Sequence, residues 1–173
     1  KGVVVEYLVE KKGFVHYSAR ALWVEELERC GREVTRANMR LIANEFRKKN
    51  GRDFLVTAYL KRMEAEGVSD VIIESMRAVA EAETLKAHGG ILIAVDADQR
   101  LRYERITARA STSDAVSFEA FVAHEALEMH DPDPDGMQKA AVIAMADYTI
   151  ENDGSLAELD AQIEKVLAQI KKS

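Results

Sequence analysis

The chain has 173 residues, of which 47% are hydrophobic and 31% are charged, proportions typical of a globular protein with one sizeable core. Its net charge of −6 and pI near 5.3 give no chain-wide positive field, which argues against nucleic acid or an anionic membrane surface as the partner. No apolar run approaches the roughly 20 residues that span a bilayer. The single cysteine, Cys30, cannot form an internal disulfide, so we expect a reducing, cytoplasmic compartment.

The hydrophobic period switches repeatedly between helical and extended along the chain. In chain order it predicts helix 3–12, strand 14–18, helices 19–30, 35–49 and 54–66, strand 71–73, helix 78–87, strand 91–95, helices 99–110 and 118–129, strand 148–150 and helix 156–170. Gly13 is a typical residue at the end of a helix, and residues suited to begin a helix are Thr35, Asp53, Ser117 and Ser155.

The runs at 71–73 and 91–95 are short, apolar and rich in β-branched residues. Such runs are typical of strands that are buried on both faces of a parallel sheet. Strands that alternate with helices, without a linker between domains, predict a single domain over residues 1–173 with a three-layer α/β fold.

The first predicted element is a helix, whereas a doubly wound α/β domain normally has a strand and a phosphate-binding turn in front of its first helix. The second half of such a unit is therefore recognisable at the start of the sequence, and its first half is not. We expect a β-strand and a glycine-rich turn ahead of Lys1 in the protein or its parent.

Four segments carry a resemblance to a known family. Lys1-Gly2 resembles the end of a glycine-rich phosphate loop, and Ile72-Ile73-Glu74-Ser75-Met76-Arg77 resembles a buried strand that ends in an acidic residue with an arginine three positions later. Two further segments resemble a strand-to-lid passage and a C-terminal strand: Asp96-Ala97-Asp98 with Arg102, Arg105 and Arg109, and Ala146 through Asn152 to Gly154-Ser155. In this order and spacing they resemble the P-loop nucleoside-monophosphate kinases and dephospho-coenzyme A kinases over essentially the whole chain.

The resemblance implies a three-layer, parallel-sheet P-loop kinase-like fold, with an acceptor-binding helical arm around 19–67 and a lid around 105–136. It implies a kinase that transfers the γ-phosphoryl group of ATP, with Mg²⁺, to a nucleotide-like acceptor: a nucleoside or deoxynucleoside monophosphate, or dephospho-coenzyme A. The partners would be small nucleotides, and the protein a monomer or a homodimer. The identity of the acceptor depends on pocket shape and stays open.

Phosphoryl transfer depends on cations around the transferred group, which explains basic residues at these places. Lys1, at the start of the first helix, would meet the β- and γ-phosphates together with helix N–H groups. The resemblance places ATP against Lys1, Gly2, Val3, Arg105, Arg109, Asn152 and Gly154, and assigns catalysis to Lys1, Arg77, Arg105 and Arg109. Because Arg105 and Arg109 are one turn apart, they share a helix face; surface ion pairs with Glu104 or Asp98 are the alternative.

Arg77 follows a buried strand, and its guanidinium fork suits the phosphate of the acceptor. An exposed arginine at a helix start is the alternative reading. By resemblance the acceptor is bound by Ser18, Arg20, Arg40, Glu74 and Arg77. Trp23 and Tyr59 are expected in the core rather than stacked on a base, and His16 is expected to be buried.

Glu74 and Asp96 are the candidate carboxylates for Mg²⁺, and a carboxylate favoured by the helix dipole is the alternative for Glu74. Val3 stands where many relatives carry a serine or threonine hydroxyl that binds the metal. This departure favours a second hypothesis, a nucleotide-binding regulatory protein with reduced catalysis. His124 and Glu128, four residues apart, are too few for a metal site of their own.

Overall fold

The computed structural model describes residues 1–108, 117–131 and 136–172, apart from the side chain of Arg36. Within these ranges the elements are α1 (Gly2–Lys12), β1 (Val15–Ser18), α2 (Ala19–Arg29), α3 (Arg36–Asn50), α4 (Phe54–Glu66), β2 (Val71–Glu74), α5 (Val79–Ala87), β3 (Ile93–Asp96), α6 (Gln99–Ala108), α7 (Phe118–Met129), α8 (Lys139–Ala144), β4 (Tyr148–Glu151) and α9 (Leu156–Ile170). None of these helices is long and apolar enough to cross a lipid bilayer.

The strands form two parallel pairs. β1 pairs with β2, with Val15 opposite Val71 and Ser18 opposite Glu74. β3 pairs with β4, with Ile93 opposite Tyr148. The fold is therefore mixed α/β with parallel strands joined through helices, which confirms that part of the expectation from sequence.

Local signals set most helix ends. At Gly13 the backbone is left-handed, with φ of 76°, and its N–H returns to the carbonyls of the last turn of α1. The predicted caps Thr35, Ser117 and Ser155 each accept a hydrogen bond from a first-turn N–H. Asp53 also occupies the N-cap position of α4, as predicted, but its carboxylate accepts the hydroxyl of Thr84 on α5 and makes no cap hydrogen bond.

The strands were expected to be buried on both faces, and this expectation was wrong. All four residues of β2 and the first three of β3 are half-buried. The physical reason is pairing: in the described part of the chain, β2 is bonded on one edge to β1 and β3 on one edge to β4. A strand with one open edge leaves both its backbone and its side chains partly accessible.

Helices cover both faces of the β1–β2 pair. Tyr17 and Ile73 contact a cluster built from α2, α3 and α4, which contains Trp23, Leu27, Ile42, Leu55 and Tyr59. Ile72 points the other way, into a cluster built from α1, β4 and α9. Trp23 and Tyr59 expose 7% and 3% of their surface, which confirms that they belong to the core.

One helix had no counterpart in the sequence prediction. α8 is only six residues long, and the side chain of its N-cap residue, Gln138, makes no capping hydrogen bond. Val142 anchors it in a small cluster with Ala82 of α5 and Leu92. A helix this short forms by packing rather than by its own propensity, so the local pattern did not signal it.

Candidate functional site

The carboxyl ends of β1 and β2 bring polar side chains together with the start of α1. Ser18 and Glu74, which end the two strands, are register partners. The Lys1 ammonium donates to Glu74 Oε2 at 2.8 Å and to the Ser75 hydroxyl at 2.5 Å. The Ser18 hydroxyl donates to Glu74 Oε1 at 3.2 Å. Three residues assigned from sequence to phosphate, acceptor and metal binding, Lys1, Ser18 and Glu74, therefore form one cluster.

Two residues that the sequence did not assign also belong to this cluster. Ser75 has φ of 66°, the left-handed region that a residue other than glycine rarely adopts. Such backbone strain concentrates at functional sites. His16 was expected to be buried, but it is exposed, and its Nε2 lies 3.5 Å from Glu74 Oε1. The expectation was wrong: Tyr17 is the buried residue of β1, whereas His16, on the opposite face of the strand, lies beside the carboxylate of Glu74 at the polar edge.

Glu74 is held in its charged form. Its partial burial opposes ionisation, but the hydrogen bond and charge of the Lys1 ammonium, with help from His16 and Ser18, outweigh that effect. The pKa of Glu74 is therefore below its ordinary value of 4.5. At neutral pH the cluster consists of an ionised carboxylate with a lysine ammonium that is about half exposed, at 51% of its side-chain surface.

The carboxyl ends of β3 and β4 form a second polar edge. The Asn152 N–H donates to the carbonyl of Asp96 at 2.8 Å, and Arg105 Nη1 donates to the carbonyl of Asn152 at 2.7 Å. Asp153 accepts the N–H of Asp98, and Gly154 is exposed. Arg105 thus fixes the loop that contains two of the residues assigned to ATP; Arg109, its expected partner, lies outside the described residues.

Arg102 is the centre of this second edge, although the sequence analysis assigned no ligand to it. Its guanidinium contacts Asp96, the carbonyl of Ala97 and both carboxylate oxygens of Glu125. The pKa of Glu125 is lowered because the Arg102 hydrogen bond outweighs burial of the carboxyl group. Asp96 is consequently paired with an arginine rather than with Glu74.

Arg77 is held at the start of α5 by both its main chain and its side chain. Its N–H donates to Glu81 Oε2 at 2.8 Å, and its carbonyl accepts the N–H of Gln138 at 2.8 Å. Its guanidinium lies 3.5 Å from Glu128 on α7 and contacts the sulfur of Met137. The side chain is about one-third exposed, so it is neither a free surface arginine nor a fully buried one.

The remaining assigned residues are more scattered. Arg20 and Arg40 are exposed on α2 and α3, and Arg20 contacts the sulfur of Met39. Val3 is half-buried and packs against the cluster of α1 and α9. Gly2 is half-buried at the first position of α1.

No three residues among histidine, cysteine, aspartate and glutamate lie close enough to hold a metal ion by themselves in the described ranges. Magnesium is commonly bound through one or two carboxylates together with substrate phosphates and water. A protein-only metal cage is thus not what these residues form, and Glu74 fits at most a site shared with a phosphate.

Several proteins are similar to the chain in sequence. A UPF0200 protein of Pyrobaculum aerophilum is 30% identical over 172 residues, which cover 96% of this chain and 90% of that protein. A UPF0200 protein of Thermococcus kodakarensis is 28% identical over 167 residues, covering 93% and 87%. A UPF0200 protein of Methanocaldococcus jannaschii is 28% identical over 149 residues, covering 84% and 72%. No family model matches the chain.

The lowered pKa of Glu74 predicts a pH-dependent contribution to stability. A carboxyl group with a depressed folded pKa stabilises the fold above its unfolded pKa, and this contribution is lost as the pH falls through the folded pKa. We expect Glu74→Gln to lower the free energy of unfolding by on the order of 1 kcal/mol at neutral pH and by much less near pH 3.

Denaturant unfolding of both proteins across this pH range is the measurement. Glu10→Gln, at an exposed position on α1, is the control and should change little at either pH. A loss for Glu74→Gln that stays constant from neutral pH to about pH 3 would contradict the assignment.

Proposed function

The chain belongs to the UPF0200 family, and we propose that it is a cytoplasmic phosphotransferase of the P-loop nucleotide-kinase type. It would transfer the γ-phosphoryl group of ATP to a nucleotide-like acceptor, either a nucleoside or deoxynucleoside monophosphate or dephospho-coenzyme A. The observation that carries the proposal is the cluster of Lys1, Ser18, Glu74 and Ser75 at the carboxyl ends of two parallel strands.

The position of the cluster supports a ligand site. In open α/β sheets, ligands bind beyond the carboxyl ends of the strands, where helices begin. Lys1 is the N-cap residue of α1, so a phosphate bound at its ammonium would lie near the first N–H groups of that helix. Both attract anions, and together they suit a phosphate group.

The Lys1 ammonium could bind a phosphate by exchanging its contacts with Glu74 and Ser75 for contacts with phosphate oxygens. The Lys1 ammonium is about half exposed and is bound to Glu74 and Ser75. A phosphate oxygen that approaches the first turn of α1 would compete for the ammonium protons, while Glu74 keeps the hydroxyl of Ser18 and the imidazole of His16. Magnesium, when bound, would supply further neutralisation of phosphate charge. Lys1 would hold the phosphoryl group in line as it moves.

The finer fold that we propose is a three-layer sheet with a fifth parallel strand between β2 and β3. In the described part of the chain each of these two strands has one strand neighbour, and all of β2 and the first three residues of β3 are only half-buried. Ile72 and Ile93 contact the same cluster of α1 and α9, so one helical layer covers both pairs. Open edges are costly, and one inserted strand would satisfy both.

The occupant that fits best is a segment that runs into Lys1, because a strand parallel to β2 would end beside Glu74, where Lys1 lies. The turn between that strand and α1 would be the glycine-rich phosphate loop. The UPF0200 proteins compared above have length beyond the matched residues, which leaves room for such a strand.

A structure of the protein expressed from its complete coding sequence would test this arrangement. We expect a five-stranded parallel sheet with the order β1, β2, inserted strand, β3, β4. The residues of β2 and β3 would then be buried on both faces, because each strand gains a second neighbour. Two separate strand pairs, or an antiparallel inserted strand, would contradict the proposal.

Lys1→Met tests the phosphate-binding role. In the same complete protein, we expect the affinity for ATP with Mg²⁺ to fall at least about tenfold and the affinity for adenosine to change little. The reason is that the ammonium neutralises phosphate charge and does not touch the base. Isothermal calorimetry with both ligands is the measurement.

Lys11→Met, exposed in the last turn of α1, is the matched control and should bind both ligands like wild type. Equal ATP affinity for Lys1→Met and Lys11→Met would rule out Lys1 as the phosphate ligand.

Arg77→Ala tests the acceptor side. A screen of nucleoside monophosphates and dephospho-coenzyme A with labelled ATP would first identify the acceptor. We then expect Arg77→Ala to lower kcat/KM for that acceptor about ten- to a hundredfold, because one charge-assisted pair with a phosphate is lost. Binding of ATP should stay near wild type.

Arg29→Ala, on the exposed part of α2, provides the control. If ATP binding collapses in Arg77→Ala while the acceptor is handled normally, the donor and acceptor sides are reversed. If the complete protein phosphorylates none of the acceptors, the kinase proposal fails.

A nucleotide-binding regulatory protein with reduced catalysis is the second candidate. The observation that favours it is Val3, which packs into the core and offers no hydroxyl for a metal ion. The two candidates differ in one result: the regulatory protein would bind ATP through Lys1 and transfer no phosphoryl group.

A further inference from the structure

Two charged side chains are buried among the described residues, and they bind each other. Arg47 on α3 exposes 5% of its surface and Glu81 on α5 exposes none. Arg47 Nε and Nη2 donate to Glu81 Oε1 at 3.2 and 3.1 Å. The remaining Arg47 nitrogen Nη1 donates to Asn44 on the same helix. The pair joins two helices whose contacting residues are 34 positions apart in the sequence.

The second oxygen of Glu81 faces the main chain ahead of α5. Oε2 accepts the N–H of Arg77 at 2.8 Å and the N–H of Ala78 at 3.1 Å. Ala78 is the N-cap residue of this helix, and its methyl side chain cannot accept a hydrogen bond. Glu81, the third residue of the helix, therefore accepts the N–H of the N-cap residue, as a glutamate at this position does in a capping box, and it fixes the residue before the cap as well.

Stability alone is a weak reason for such a pair. Removing two charges from water costs several kcal/mol per ion, and well-packed apolar residues are often as stable as a buried ion pair. A helix can also be capped by a short side chain at its surface. A feature specific to this arrangement is that it fixes the main chain of Arg77, whose carbonyl is bound from the other side by the N–H of Gln138.

We infer that Glu81 is a positioning residue for Arg77, and that Arg47 is the counter-charge that keeps the Glu81 carboxylate at this buried place. The inference deepens the proposed function and rests on it in one respect, that Arg77 binds a phosphate group. Glu81 itself, being fully buried, contacts no ligand. It acts by binding the N–H groups of Arg77 and Ala78, which fixes the backbone at Arg77 and so the direction in which its side chain extends.

The pair also links the two parts of the proposed acceptor site. α3 carries Arg40 two turns before Arg47, and Arg40 is exposed. Arg47 attaches the helix of Arg40 to the carboxylate that holds Arg77. The position of the exposed Arg40 relative to the half-buried Arg77 is thereby set through a buried contact rather than through a surface loop. A ligand with an anionic group, such as a phosphate ester, would meet two cations at a fixed separation.

The test separates the hydrogen-bond acceptor from the charge. Two double variants of the complete protein are compared, Arg47→Met/Glu81→Leu and Arg47→Met/Glu81→Gln. Both remove the ion pair, but only glutamine keeps an oxygen that can accept the N–H groups of Arg77 and Ala78. The control is Glu83→Gln, at an exposed position of the same helix.

Two quantities are measured for each protein. The first is the hydrogen-exchange rate of the Arg77 and Ala78 amides, which reports whether their hydrogen bonds persist. The second is the affinity for inorganic phosphate, followed by the NMR signal of the Arg77 side chain, with Arg77→Ala as the reference for a lost site. Thermal unfolding monitors stability separately.

We expect the leucine variant to exchange both amides at least about tenfold faster than wild type and to bind phosphate about tenfold more weakly. The glutamine variant should recover both properties, and the control should not change either. A role in stability alone predicts that the two double variants behave alike. Equal exchange rates at Arg77 or equal phosphate affinities in the two double variants would therefore overturn the inference.

A variant that does not fold leaves the comparison intact. If the leucine variant is unfolded, Arg47→Met/Glu81→Ala takes its place, because alanine also lacks an acceptor and favours the helix. If Arg77→Ala binds phosphate like wild type, the proposed acceptor site fails. The amide exchange of the double variants still decides whether Glu81 positions Arg77.

Discussion

The carboxylate of Glu74 is the contact on which the first polar edge depends. It ends β2, and three side chains from two parts of the chain donate to it or face it: Lys1 ahead of α1, and Ser18 and His16 of β1. A half-buried charge must be paired to be stable. Satisfying this one carboxylate therefore requires the start of α1 to lie at the carboxyl ends of the two strands, which is the arrangement that makes the edge a candidate phosphate site.

The parallel pairing of the strands also explains which faces are covered by helices and which strand edges have no neighbour in the described residues. Parallel strands require a crossover, and the crossover from β1 to β2 brings α2, α3 and α4 to one face of this pair, while α1 and α9 cover the other face. The described buried side-chain nitrogen and oxygen atoms all have hydrogen-bond partners. By contrast, β2 and β3 each have a single strand neighbour within the described ranges. That contrast is the physical support for the proposed fifth strand.

Local sequence signals were sufficient for most of the elements. The helices Phe54–Glu66, Phe118–Met129 and Leu156–Ile170 lie at the predicted positions, because apolar periodicity and capping residues act within a few residues of each other. The features that local patterns missed come from long-range contacts. The Asp53 carboxylate bonds to Thr84 of α5 instead of capping its own helix, and α8 exists through packing on Ala82 and Leu92; neither contact leaves a local pattern.

The candidate site was predictable in its residue types and less so in its contacts. Alternation along β1 would have placed His16 opposite Tyr17 and beside the polar edge, so that signal was present in the sequence. The strained backbone of Ser75 was not, because no residue type marks a left-handed serine. Arg102 and Glu125 are 23 positions apart, and the ion pair between them depends on the packing of α6 against α7.

Lys1 and Arg47 differ in burial, and this difference determines which of the two cations can exchange its protein partner for an anion. Lys1 exposes half of its side chain, so water can replace Glu74 during exchange and the ammonium can pass to a phosphate at small cost. Arg47 exposes 5%, and separating it from Glu81 would leave an unpaired charge in the interior. Lys1 is thus suited to change partners when an anion binds, whereas Arg47 is suited to keep its pairing with Glu81.

Arg77 lies between Lys1 and Arg47 in burial, and this intermediate exposure fits the role proposed for it. Its guanidinium is one-third exposed and lies 3.5 Å from Glu128, a weak pairing that a phosphate can replace. Its main chain is bound on both sides, by Glu81 and by Gln138. A phosphate-binding arginine needs a side chain that is free to change partners and a backbone that does not move, because the geometry of the transfer depends on where the phosphate is held. The fold provides both requirements at this residue by binding the backbone through a buried carboxylate while leaving the guanidinium at the edge.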